Sequence, residues 1–456
     1  MNYSAENQAL WNPIIQIGII AIFILFANIL RRKVKFIRSG LMPTAVLAGF
    51  VLLALRSTGV LPVDTEFLEM LTYHCIALGF IAMSLRVPVK ETGDSAIIGS
   101  KSGALIVSTY LVQALVGLTV SVGLAYTFMP DLFKASGILL PMAYGQGPGQ
   151  ANNVGTTYEV NGMVGGRNFG LSLAAVGYLC ACVVGVVYLN YLNKKNKAKR
   201  VYDKEEISGS VTVDTFQDKN EIPISQSVDR LSVQFALVAM VYLLTFGTTY
   251  GLTELVGMIS EGVAQTVSSL LWGFNFIIGS VIAVVCRVIM KKLTHKKLMN
   301  RQYQNNYLLS RISGLAFDVM IVAGIAGINI EALSGYILPF VLMAVLGAAA
   351  TFAYLRFMCK KLYPDYVYEG FVSMYGMLTG TISSGVLLLR EIDPELKTPA
   401  ANNLVLGSSF GIVFGAPVLL LVSLAMTNVF LTLAVIVAYF ALLLLFILKI
   451  GKKTKK

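Results

Sequence analysis

The chain is dominated by apolar runs of roughly 18 to 25 residues, which recur from Pro13 to Lys449, and each is long enough as a helix to cross a hydrocarbon core about 30 Å thick. Of the 456 residues, 56% are hydrophobic and only 13% are charged. That is too little charge to cover the surface of a soluble protein of this size. The sequence therefore predicts an all-α polytopic membrane protein. No basic residue precedes the first run, so we interpret that run as a permanent span and not as a signal peptide.

The net charge of +12 does not indicate a nucleic-acid-binding protein, because the Lys and Arg residues occur in short clusters directly after apolar runs. Such clusters mark the cytoplasmic side of membrane spans. With the clusters as the guide, the N-terminus is predicted to lie outside and the C-terminus in the cytoplasm. The spans expected on this basis lie at about residues 12–30, 41–56, 67–86, 103–128, 169–192, 231–250, 264–290, 312–328, 333–358, 400–425 and 428–449.

Two further segments, 135–158 and 368–391, are only half apolar and are rich in glycine. If either segment crossed the membrane completely, the basic clusters that follow it would lie on the wrong side. Each is therefore predicted to be a re-entrant hairpin, the first entering from outside and the second from the cytoplasm. Such non-helical backbone is tolerated at membrane depth only where it faces protein or a watery cavity.

Each half of the chain then consists of four spans, a hairpin and a fifth span, which makes the two halves inverted repeats. The string YGxxxG begins at Tyr144 in the first hairpin and recurs at Tyr375 in the second. Paired, broken segments at corresponding places indicate a transport site, although GxxxG also occurs where helices simply pack closely. The predicted organisation is a first repeat at 1–192, a cytoplasmic linker at 193–230, a second repeat at 231–425, and an additional C-terminal helix with a basic tail at 426–456.

A helix that breaks inside a membrane leaves backbone N–H groups free at one end, which suit a carboxylate. It leaves carbonyl groups free at the other end, which suit Na⁺. Neutral polar side chains accompany both breaks, and this set can hold a zwitterion or a dicarboxylate with a monovalent cation. It lacks the concentrated negative charge that divalent metals require. The predicted substrate-binding residues are Gly145, Gln146, Gly147, Gly149, Gln150, Asn152, Asn153, Tyr375, Gly376, Thr379, Gly380 and Thr381.

Asp318 is a carboxylate inside an apolar run, which makes it a candidate cation ligand or proton carrier; an interfacial salt bridge with Arg311 is the alternative. Asn402 and Asn403 begin a span, where they could cap the helix or reach the site. Arg167 is interpreted as a surface or interface residue, with a carboxylate clamp as the alternative. The predicted cation-binding residues, for sodium and not for a transition metal, are Asp318, Ser383, Ser384, Asn402 and Asn403.

The segments GILLPMAYGQGPGQANNVGTTYE and YEGFVSMYGMLTGTISSG, in two inverted halves around a linker, resemble the bacterial sodium/glutamate symporter family. The resemblance covers most of the chain up to about residue 425. It implies sodium-coupled symport of glutamate or a related amino acid or carboxylate. It also implies an elevator mechanism, a homodimer, and a location in the bacterial inner membrane.

Other functions are open on the residues alone. A proton-coupled carrier of another organic anion, or a channel or facilitator, could use the same hairpins. An enzyme is not expected, because the two histidines and five cysteines suggest neither a nucleophile–base set nor metal ligands. The expected partners are the lipid bilayer, a sodium ion and a small anionic or zwitterionic solute, with no organic cofactor and no nucleic acid.

Overall fold

A computed structural model describes residues 3–453, except for 35–36, 38–40, 62, 88–92, 196–229, 260–267, 269–270, 274, 300, 330 and 394–397. The predicted linker at 193–230 therefore lies almost entirely outside the described residues. In the described part of the chain, the regular secondary structure is helical, as the sequence predicts.

The first helix begins at an ordinary local signal. Asn7 precedes the first helix and its side chain accepts a hydrogen bond from the Leu10 N–H, at 3.3 Å, which is a typical N-cap. In chain order, the helices with described bounds are α1 (Gln8–Lys33), α2 (Thr44–Ser57), α3 (Thr65–Leu85), α4 (Gly93–Thr127), α5 (Leu139–Tyr144), α6 (Pro148–Val160), α7 (Gly166–Lys194), α8 (Arg230–Ile259), α9 (Asn275–His295), α10 (Asn306–Ala326), α11 (Ile337–Leu362), α12 (Val367–Thr379), α13 (Ile382–Arg390), α14 (Ala400–Thr427) and α15 (Val429–Lys453). Short 3₁₀ segments lie at Lys134–Ile138, Glu331–Tyr336 and Pro364–Tyr366.

Nine helices among the described residues are long and apolar enough to cross a membrane. The prediction of an all-α, multi-pass membrane protein is thereby confirmed at this level. The expected spans at 41–56 and 264–290 are not among the nine. Helix α2 has only 14 residues, and most of 260–270 before α9 is not described. The nine candidates are Gln8–Lys33, Thr65–Leu85, Ile97–Thr127, Gly166–Lys194, Arg230–Met258, Asn306–Ala326, Glu331–Leu362, Ala400–Thr427 and Val429–Lys449.

The chain forms two compact units. The first unit comprises Met1–Val63, Glu91–Tyr202 and Gly324–Lys456, and it contains both predicted hairpins. Its centre is α4, which packs against α11, α14 and α15. Helices α4 and α14 approach closely because small residues line their contact: a Cβ placed on Gly103 would lie 2.6 Å from the Phe410 Cβ. Small residues at such contacts are typical of membrane helix packing.

The second unit comprises Asp64–Lys90 and Asp203–Ala323. In it, α3 packs against α8 and α9. Its core consists of aliphatic side chains, and the ring of Phe317 fills the space left by Gly79, where an added Cβ would lie 2.5 Å from the Phe317 Cε1. The fully buried members of this core are Ile81, Ala82, Leu85, Val238, Val241, Ala283 and Leu309.

Candidate functional site

The first predicted hairpin contains a helix break between α5 and α6. We define Gly145–Gly147 as the first break. Gly147 has φ +88° and ψ −177°, a conformation that residues with a side chain rarely adopt. Pro148 then occupies the first position of α6, where its missing N–H costs nothing. No described side chain caps this turn, so the first N–H groups of α6 have no side-chain acceptor at the cap position.

The second predicted hairpin contains a break between α12 and α13. We define Gly380 and Thr381 as the second break. Thr381 is extended, with φ −143° and ψ 172°, and it occupies the N-cap position of α13 without forming a cap hydrogen bond. Helices α12 and α13 pack on each other, since a Cβ placed on Gly376 would lie 2.8 Å from the Gly385 Cα. The segment therefore doubles back and does not continue as one helix.

The two breaks lie next to each other within the first unit. A Cβ placed on Gly147 would be 3.9 Å from the Gly380 carbonyl oxygen. Gly177 of α7 lies against both half-helices, because its added Cβ would be 2.4 Å from the Thr379 carbonyl oxygen and 2.9 Å from the Tyr144 Cδ1. The fold thus brings together two segments that lie in opposite halves of the chain.

Buried polar atoms without a hydrogen-bond partner collect beside these breaks. Gln150 and Asn153 are each 3% exposed and Ser384 is 2% exposed. Leaving such an atom unpaired costs about 1–3 kcal/mol, so this concentration indicates a place for a polar ligand. The atoms concerned, among the described residues near the breaks, are Gln150 Oε1, Asn153 Nδ2, Tyr375 OH, Thr381 Oγ1 and Ser384 Oγ.

Other predicted substrate-binding residues already have partners or packing roles. The Asn152 Nδ2 donates to the Asn153 Oδ1 at 3.4 Å, and the Thr379 hydroxyl donates to the Tyr375 carbonyl at 2.8 Å. Gly145 allows close packing, since its added Cβ would lie 2.3 Å from the Tyr110 ring. Gly376 has the same role between α12 and α13. Of the remaining two, Gly149 is buried in the first turn of α6 and Gln146 is half-buried in the first break.

The predicted cation-binding residues are divided between the two units. Ser384 and Asn403 are buried in the first unit, and the Asn403 Nδ2 donates to the Tyr366 hydroxyl at 2.9 Å. Asn402 is exposed at the start of α14. Asp318 lies on α10 within the second unit. The side chain of Ser383 lies outside the described residues.

The interpretation of Arg167 as a surface or interface residue is wrong, because its side chain is only 4% exposed. Helices α6 and α7 are in backbone contact here: a Cβ placed on Gly155 would lie 2.6 Å from the Arg167 Cα. The guanidinium Nε donates to the Asn152 Oδ1 at 2.8 Å. A positive charge is therefore buried directly beside the half-helix that begins at the first break.

Sequence reasoning missed Gln113, which is fully buried on α4 and hydrogen-bonded to the last turn of α12. The signal that could have found it is a single amide in the middle of the apolar run STYLVQALVGL, since polar side chains are rare and functional at such depth. Gly177 was also missed. Nothing local marks it, because its role comes from contacts with Tyr144 and Thr379 far along the chain.

No family model, curated protein or solved structure matches this chain. In the described part of the chain, no group of three or more His, Cys, Asp or Glu residues could hold a metal ion. The site consists of helix ends, neutral oxygen and nitrogen atoms, and one nearby guanidinium. Groups of these kinds are suited to binding ions and small polar solutes.

Proposed function

We propose that this protein is a secondary active transporter that couples sodium entry to the uptake of glutamate or a related amino acid or carboxylate. The observation that carries the proposal is the meeting of two broken helices, with unpaired buried polar atoms around them. Exposing backbone and side-chain polar groups inside an apolar protein is costly. Paired broken helices are the usual construction of substrate sites in secondary transporters.

The first break suits the anionic part of a solute. Its half-helix α6 directs backbone N–H groups and a positive dipole end toward the break. The amide of Asn153 has an unpaired donor, Nδ2, within the first two turns of this helix. The guanidinium of Arg167 adds a positive charge through Asn152. In this proposal Gly149 and the Gln146 amide complete the carboxylate-binding face. Gly145 and Gln150 line the rest of the site, where the unpaired Gln150 Oε1 can accept a hydrogen bond but cannot bind a carboxylate.

The second break suits a monovalent cation. The C-terminal end of α12 provides the carbonyl groups of Thr379 and Gly380, and unpaired hydroxyl oxygens lie on Tyr375, Thr381 and Ser384. Neutral oxygen ligands of this kind are typical of Na⁺ sites at broken helices. In this proposal Ser383, Asn402 and Asn403 are further candidate cation ligands in the first unit, and Asp318 is a separate candidate within the second unit.

The proposal includes the finer architecture that the sequence predicts. The two halves at 1–192 and 231–425 are inverted repeats, and their hairpins are re-entrant. An elevator movement then exposes the site to each side in turn, in a homodimer of the bacterial inner membrane with the C-terminus in the cytoplasm. Two observations support it: a break in each half of the chain, and basic residues in the last turns of α1 and α11.

The test is uptake by purified protein in liposomes. Labelled glutamate, aspartate and unaminated dicarboxylates are offered with an inward Na⁺ gradient, with equal Na⁺ on both sides, or with an inward proton gradient. We expect accumulation above the outside concentration only with the Na⁺ gradient. Protein-free liposomes serve as the control.

Each other outcome identifies a different function. Accumulation driven by the proton gradient alone would indicate the proton-coupled carrier. Equilibration without accumulation under every gradient would indicate a channel or facilitator. Either result would refute sodium-coupled symport.

A further inference from the structure

Gln113 lies outside both hairpins, but its side chain lies against the end of α12 and against Gly145 of the first break. Its side chain is fully buried on α4. The Nε2 atom donates to the Leu378 carbonyl at 2.8 Å and to the Thr351 hydroxyl at 3.0 Å. An amide nitrogen has two hydrogens, so both are used. Leu378 lies in the last turn of α12, immediately before the second break.

These contacts determine which way the amide oxygen points. The Leu378 carbonyl can only accept a hydrogen bond, so a flipped amide would place two oxygens against each other. The Oε1 atom therefore lies on the opposite side, where a Cβ placed on Gly145 would be 2.9 Å from it. This atom is buried and has no hydrogen-bond partner. The ring of Tyr110 fills the side-chain space at Gly145 without donating a hydrogen bond to Oε1, so this acceptor stays unpaired at the edge of the first break.

We propose that Gln113 couples the two breaks: its nitrogen positions the end of α12, and its oxygen binds the positively charged group of the transported ligands at the first break. That group is the coupling cation or a protonated amine on the solute, because a carbonyl oxygen can only accept. The inference rests on the proposed function, but it assigns a residue outside both hairpins. It also places an acceptor beside Gly145, in the break that precedes α6.

The experiment uses the full chain in detergent and three variants. Gln113→Leu removes both the donor and the acceptor. Gln113→Glu keeps an oxygen toward Gly145 and lacks the N–H donors. Thr119→Val is the matched control, because Thr119 is exposed on the same helix and its hydroxyl bonds to the Leu115 carbonyl of its own helix.

Two measurements test whether the Gln113 Oε1 accepts from, or binds, a positively charged group. The melting temperature is recorded against NaCl, with choline chloride as the salt control, and then against glutamate and its unaminated analogue glutarate. If the cation is bound, Gln113→Leu raises the Na⁺ midpoint about ten- to a hundredfold, the loss expected for one contact to a charged group. If the amine is bound, Gln113→Leu raises the midpoint for glutamate and leaves the midpoint for glutarate unchanged. Unchanged midpoints for all three ligands would overturn the acceptor role.

A third measurement tests whether the Gln113 Nε2 positions the end of α12. Hydrogen exchange of backbone amides from 376 to 382 is expected to speed up in both Gln113 variants and to stay unchanged in Thr119→Val. Equal exchange in all proteins would overturn the positioning role. If Gln113→Leu does not fold, Gln113→Glu decides: we expect faster exchange with cation or amine binding no weaker than in the wild type, and weaker binding would refute the acceptor role.

Failure of the inference can be told from failure of the proposed function. A wild-type protein that responds to neither Na⁺ nor any solute would refute both the symporter proposal and the acceptor role. A wild-type protein that responds, beside a Gln113→Leu variant that responds identically, would refute the role of Gln113 alone.

Discussion

Gly177→Ala adds a single methyl group and is expected to reduce transport strongly. The new methyl group would lie 2.4 Å from the Thr379 carbonyl oxygen, whereas ordinary contacts begin near 3.4 Å. The second break must therefore move by about 1 Å, and a displacement of that size in a binding constellation costs up to about a hundredfold in rate. Overpacking costs about 1–3 kcal/mol, partly offset by the helix preference of Ala over Gly, about 1 kcal/mol.

We therefore expect Gly177→Ala to fold with a modest loss of melting temperature and to lose about ten- to a hundredfold of its sodium-driven uptake. The assay is initial uptake in liposomes, normalised to the amount of folded protein. The matched control is Gly123→Ala on α4, where an added Cβ meets nothing within 4 Å, so both uptake and stability should be preserved. Wild-type uptake by Gly177→Ala would refute the close approach of α7 to the second break.

Three further predictions concern single residues. Gly147→Ala places a side chain at φ +88°, so it should lower the melting temperature by the equivalent of about 1–3 kcal/mol and reduce uptake; unchanged stability would contradict the break geometry. Ser384→Ala removes an unpaired buried hydroxyl, so the ligand-free melting temperature should be kept or raised while the Na⁺-induced shift shrinks; an equal shift would exclude Ser384 as a ligand. Asp318→Asn should weaken the Na⁺ dependence of uptake in a folded protein, and an unchanged Na⁺ midpoint would exclude Asp318 as a cation ligand.

Local sequence signals predicted the positions of the breaks well. Glycine and proline end helices through the backbone itself, and Gly147-Pro148 does so in the structure. The same reasoning predicted a broken helix within 368–391, and in the structure the break lies at Gly380 and Thr381. The YGxxxG strings correspond less closely. The first spans its break, whereas the second lies within α12 and only its last glycine reaches the break.

Long-range packing could not be predicted in this way. The burial of Arg167 depends on a backbone contact between α6 and α7, and the role of Gln113 depends on carbonyl and hydroxyl partners from α12 and α11. A hydropathy pattern carries no information about either of these contacts. The number of spans was also hard to predict. The expected span at 41–56 corresponds to α2, which has 14 residues and is shorter than a usual membrane helix.

The short half-helices also constrain how this protein is made. Helix α5 has 6 residues and α6 has 13, so neither can enter a bilayer as an independent span. The first break is completed only when Gly380 arrives beside Gly147, after the ribosome has added most of the second half, which takes on the order of tens of seconds. During that interval the first hairpin has polar groups and no partner, so its stable insertion has to await the neighbours that complete it. Completion of the site is therefore a late event in the synthesis of this protein.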